Sequence, residues 1–103
     1  MTYEEAVKKV TKEEGVQLST MMKTPCLRYK GEFMAMIFEK EDSLIIKVSP
    51  RRVNEIISSG KGREFNFTKK RFKEWVLIPS AYEDDYEDFI YESLEYAKEK
   101  LSD

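Results

Sequence analysis

The chain has 103 residues, with 18 lysines and arginines against 20 aspartates and glutamates, a net charge of −2 and no histidine, which is the size of one domain around a single core. Without histidine it builds neither a Ser-His-Asp or Cys-His nucleophile system nor a histidine-containing zinc site, and its four glycines form neither GxGxxG nor a P-loop. Its single cysteine, Cys26, has no intramolecular disulfide partner and reads as a small buried hydrophobe. No apolar run reaches transmembrane length and no apolar signal segment opens the chain, so the expected setting is the cytoplasm, with no membrane partner.

In chain order, Thr2 and Glu5 make a capping-box pattern, and Tyr3, Ala6, Val7 and Val10 recur at helical spacing, which predicts a helix over residues 3–14 stopped by Gly15. Residues 16–22 alternate loosely and Pro25 interrupts. Residues 26–29 and 32–38 then flank Lys30-Gly31 as a hairpin. A charged turn at 39–43 feeds a strand over 44–48, in which Leu44, Ile46 and Val48 face one way and Ile45 and Lys47 the other. Ser49-Pro50 is an N-cap and N1 pair opening a short helix with Val53, Ile56 and Ile57 on its apolar face, ended by Gly60.

Residues 64–67 carry alternating Phe65 and Phe67, residues 68–72 read as a basic connection, and 73–78 as a strand closed by Pro79. Ser80 with Glu83 forms a second capping-box pattern and predicts a final helix of about twenty residues, with Tyr82, Tyr86, Phe89, Ile90, Leu94, Ala97 and Leu101 along one face. The order α-β-β-β-β-α-β-β-α predicts an α+β domain on a mostly antiparallel sheet, spanning residues 1–103.

Residues 33–38 and 75–78 are apolar on both faces, as strands are when layers cover both sides of a sheet. Trp75 is accordingly expected in the core. The short middle helix leaves part of one face uncovered, with Met34, Met36, Phe38, Ile45, Val76 and Ile78 as the candidate patch and a sheet-face or sheet-edge homodimer as its occupant.

Charge is divided along the chain. Residues 44–73 carry nine cations, Lys47, Arg51, Arg52, Lys61, Arg63, Lys69, Lys70, Arg71 and Lys73, against two acids, a local charge of +7, while residues 74–103 carry ten acids against two lysines, or −8. The candidate binding residues for an anion or a partner are Lys47, Arg51, Arg52, Arg63, Lys69, Lys70, Arg71 and Lys73. Arg51 and Arg52 fall in the first turn of the middle helix, where the macrodipole disfavours cations. They call for compensation by Glu55, by the acidic last helix or by a bound phosphate. Lys69, Lys70, Arg71 and Lys73 surround Phe72 and precede Trp75, a pattern compatible with nucleic-acid contact. The acidic run from Glu83 to Asp88 lacks the central glycine and alternate spacing of a calcium loop and reads as a solvated helix start. No catalytic constellation, metal site or cofactor is expected.

The stretch SLIIKVSPRRVNEIISSGKGREFNFTKKRFKEWVLIP resembles the core of the TfoX N-terminal domain group, related in fold to MmcQ/YjbR-like proteins. The positions that carry the resemblance are Lys47, Arg52, Gly60, Phe65, Arg71, Lys73, Trp75 and Val76, and it extends over residues 20–101. The chain departs from the group at Met21-Met22-Lys23-Thr24-Pro25, where many members have a Met-Phe-Gly-Gly turn. The resemblance implies an α+β domain without catalytic residues, in a group associated in part with the regulation of natural competence and likened in fold to DNA-binding proteins. The expected function is therefore a noncatalytic regulatory or protein-interaction domain with a protein partner; the alternative is a DNA-binding module using residues 47–73.

Overall fold

A computed structural model of the protein describes residues 3–21, 23–67 and 70–101, apart from the side chains of residues 67, 70 and 71. Helix α1 (Tyr3–Val10) leads to strands β1 (Val16–Met21), β2 (Thr24–Tyr29), β3 (Glu32–Phe38) and β4 (Ser43–Lys47). Helix α2 (Pro50–Ser58), strands β5 (Arg63–Phe67) and β6 (Lys70–Pro79) and helix α3 (Tyr86–Leu101) complete the order. The strands form one antiparallel sheet, β1-β2-β3-β4-β6-β5. The α+β architecture and the order of elements are those expected from the sequence. No described helix is long and apolar enough to cross a membrane.

Local chemistry sets several boundaries. Lys30 and Gly31 both take positive φ, 47° and 93°, the two-residue turn whose twist matches the hairpin it joins. Ser49 caps α2, its Oγ accepting the Arg52 N–H at 3.2 Å with Pro50 at N1, and Gly60 at φ 87° follows the helix end. Other boundaries differ from expectation. Helix α1 stops at Val10, where the Thr11 hydroxyl donates to the Val7 carbonyl at 2.8 Å; Thr2, its expected cap, lies outside the described residues. Residues 70–72 are already strand rather than connection. Ser80 does not cap α3, because its N–H and hydroxyl both go to Asp42, at 3.0 Å and 2.7 Å, pinning the end of β6 to the turn before β4. A 3-10 turn, Ser80–Asp85, intervenes, and α3 is 16 residues long.

The layers also correct the sequence reading. All three helices pack on one face, in a core of Ala6, Val10, Leu27, Leu44, Ile46, Val53, Ile56, Val76, Ile78, Phe89, Ile90 and Leu94 among others. The buried Tyr86 hydroxyl ties α3 to β6 by donating to the Ile78 carbonyl at 3.0 Å, and burial pushes its pKa up to about 12. The middle helix thus adds to the same layer instead of covering the opposite face. That opposite face holds Cys26, Phe33, Met36, Ile45, Phe65 and Leu77, all buried, with Met21, Phe38, Phe72 and Trp75 half-buried around them. Of the expected patch, Met36, Phe38 and Ile45 lie on this side, whereas Met34, Val76 and Ile78 lie under the helices.

Two register shifts account for the departure from simple alternation. Between β2 and β3, Leu27 pairs with Ala35 and Arg28 with Phe33, so Met34 is an inserted residue and turns to the helix side. Between β5 and β6, Glu64 pairs with Val76 but Asn66 with Arg71, leaving extra residues of β6 opposite Phe65. Phe72 and Trp75, three positions apart, are thereby brought together on the helix-free side. Trp75 lies between Phe33 and Phe72, with centroids 4.6 Å and 5.0 Å away and interplanar angles of 26° and 23°. Phe65 packs against both Trp75 and Phe72 at 5.3 Å, and Phe38 meets the Phe65 edge at 5.6 Å. Five aromatic rings stand in for a second layer of helices, and Trp75 is half-buried within them instead of in the helix-covered core.

Candidate functional site

The eight expected binding residues do not form one surface. Lys47 pairs with Glu32 at 3.5 Å. Arg51, its side chain 91% exposed, reaches Glu55 at 3.8 Å, one turn along α2. Arg52 makes a bidentate contact across to α3, from Nε to Glu92 Oε1 at 2.7 Å and from Nη2 to Oε2 at 3.1 Å, with Glu55 at 3.4 Å. The hydrogen bonds from Arg52 to Glu92 raise the arginine pKa still further. Lys61 is held by Asp85 at 3.0 Å. Carboxylates of the protein therefore compensate the cations in and beside α2 internally. Lys69 lies outside the described residues, and Lys70 and Arg71 contribute backbone to β6, with side chains outside the description.

The junction of α2 and α3 forms a groove of about 490 Å³ lined by Arg52, Asp88, Tyr91, Glu92, Glu95, Tyr96 and neighbouring residues. Beside it sits a cluster that the sequence reading missed. Tyr96 and Lys100 both donate to Glu74 Oε2, the lysine at 3.0 Å. Burial alone would raise the Glu74 carboxyl, but these two donors outweigh it and hold the pKa below the usual carboxylate value. The contact joins residues 22 and 26 positions apart in sequence, so only the packing of α3 on the sheet brings them together. Cys26 is fully buried, and desolvation raises its thiol pKa against the opposing effect of Arg28.

Arg63 and Lys73 are different. Both are exposed, and neither has an ion pair among the described residues. Arg63 pairs in register with Leu77, so it stands on the helix-free side, at the open edge of the sheet. A hollow of about 270 Å³ there has Phe38, Phe65 and Leu77 among its walls and Arg63, Asn66, Glu41 and Glu64 on its polar part. Arg28, not among the expected residues, lies on the same side opposite Phe33 and donates to the Gly31 carbonyl at 3.0 Å. The acids of α3 lie across the sheet from this hollow, whose own polar part carries Glu41 and Glu64 beside Arg63. No metal-holding group of acids and cysteine occurs among the described residues, and no buried side-chain polar atom among them lacks a hydrogen-bond partner. No family model, curated protein or solved structure matches the chain.

Proposed function

We propose that the protein is a noncatalytic interaction domain whose partner surface is the helix-free side of the sheet at β5 and β6. The observation that carries this reading is Arg63, an exposed cation with no ion pair among the described residues, on the wall of an apolar hollow, where the neighbouring basic residues Lys47, Arg51, Arg52 and Lys61 are neutralised internally. Strand β5 is also a sheet edge, so an extended segment has main-chain donors and acceptors to meet there. The partner that fits is a protein segment offering an apolar side chain to the hollow and a carboxylate to Arg63. A regulatory role in the cytoplasm and kinship with the TfoX N-terminal domain group belong to the same proposal, because that resemblance also implies a domain that works by binding.

Nucleic acid is the weaker reading on physical grounds. Lys47, Arg51, Arg52 and Lys61 are engaged in ion pairs within the chain, and Phe33 and Phe72 both stack on Trp75, which makes it a poor platform for a base. Selection of short peptides on the purified protein should enrich segments combining an apolar anchor with acidic residues. Arg63→Glu should weaken those peptides by tenfold or more, and no salt-dependent DNA binding should appear near physiological ionic strength. Steeply salt-dependent micromolar DNA binding, or selected peptides indifferent to Arg63→Glu, would overturn the reading.

A further inference from the structure

Strand β1 forms the other edge of the sheet, and it lacks the usual protection of an edge. Its six residues, VQLSTM, include no charge and no proline, its register with β2 runs without a bulge, and Leu18 on it is 67% exposed. The backbone polarity of this edge follows from one hydrogen bond. Lys30 N–H donates to the Gly15 carbonyl at 3.0 Å, and residues 15 and 30 continue the register of Gln17 with Arg28. In an antiparallel pair, bonded and non-bonded positions alternate, so Gln17, Ser19 and Met21 bond to β2. Leu18 and Thr20 therefore turn their N–H and C=O groups to the open side.

We infer that β1 pairs antiparallel with β1 of a second copy, about a two-fold axis at Leu18, to make one continuous sheet from two six-stranded ones. Three observations converge on this partner. A two-fold axis perpendicular to a sheet sets the residue on the axis opposite its own symmetry mate, and Leu18 is a position at which both backbone groups are free to exchange hydrogen bonds with that mate. No like charges meet along the paired strands, because β1 has none. Leu18 pairs with the helix-side residue Leu27 yet remains exposed, so no helix overhangs it and the two leucines have room to meet. The helix-free face is the poorer candidate for self-association, because Cys26 and Ile45 on it are already fully buried within one chain.

The proposal goes beyond the partner surface assigned to β5 and β6 and fails independently of it. Sedimentation of the full chain over a wide concentration range should show a monomer–dimer equilibrium, and exchange of the Leu18 and Thr20 amides should slow as the dimer fills. Leu18→Lys, at an exposed position that leaves the monomer's melting curve unchanged, should weaken dimerisation about a hundredfold or more, each lost leucine contact being worth at least about tenfold. A wild-type protein that stays monomeric at the highest attainable concentration would overturn the proposal. So would a dimer unaffected by Leu18→Lys.

Discussion

Replacing Trp75 by alanine is expected to cost about 3 kcal/mol, at the lower end for a large aromatic because the ring is only half-buried. On a domain of ordinary marginal stability this is a fall in Tm of roughly 10 to 20 °C, read by calorimetry or circular dichroism. The cost arises because Trp75 touches Phe33, Phe65 and Phe72 at once, so its removal opens the aromatic layer over the cluster that holds Met36 and Ile45. Trp75→Phe retains a ring in the stack and should cost well under half as much. If Trp75→Ala melts with the wild type, the aromatic layer contributes nothing and the helix-free face is stable without it.

A second large effect compares adjacent residues on opposite faces. Ile45 and Ile46 are both fully buried, Ile46 beneath the helices and Ile45 beneath the aromatic rings. Each, changed to alanine, should lose about 2 to 5 kcal/mol, and the two losses should agree within about 1 kcal/mol. Chemical denaturation of the two variants measures this. A much smaller loss at Ile45 would mean that water already reaches the helix-free face.

The parts of the fold legible in the sequence were those set by local chemistry. Ser49-Pro50 and Gly60 bracket α2 where their capping preferences place them, and Lys30-Gly31 makes the turn its positive φ values demand. The errors came from interactions that no local pattern encodes. Ser80 has the right spacing to Glu83 for a cap, but Asp42, 38 residues away, takes its hydroxyl. Alternation put Val76 and Ile78 on a common face but grouped them with Met36 and Ile45, which lie on the other side, and it missed that an irregularity opposite Phe65 turns Phe72 to the side of Trp75. Apolar residues on both faces of β3 and β6 implied two covering layers; the second consists of side chains from the sheet itself.

The candidate site shows the same division. The sequence located the basic segment, and the helix-dipole argument correctly demanded compensation for Arg51 and Arg52. Which cations remained free depended on distance in space. Glu92 reaches Arg52 because α3 lies beside α2, Asp85 reaches Lys61 from the 3-10 turn before α3, and Arg63, on β5 at the far edge and facing away from α3, has no ion pair among the described residues. The Glu74, Tyr96 and Lys100 cluster left no signal in the sequence at all, since Glu74 lies on β6 and Tyr96 and Lys100 on α3, in ordinary-looking positions.

Trp75 is the chain's only tryptophan, so its fluorescence reports on the aromatic layer without interference. Because this layer seals the helix-free face, emission should be shifted to the blue of the urea-unfolded chain, with acrylamide quenching several-fold weaker than in the unfolded state. An emission maximum and quenching constant equal to those of the unfolded chain would contradict it.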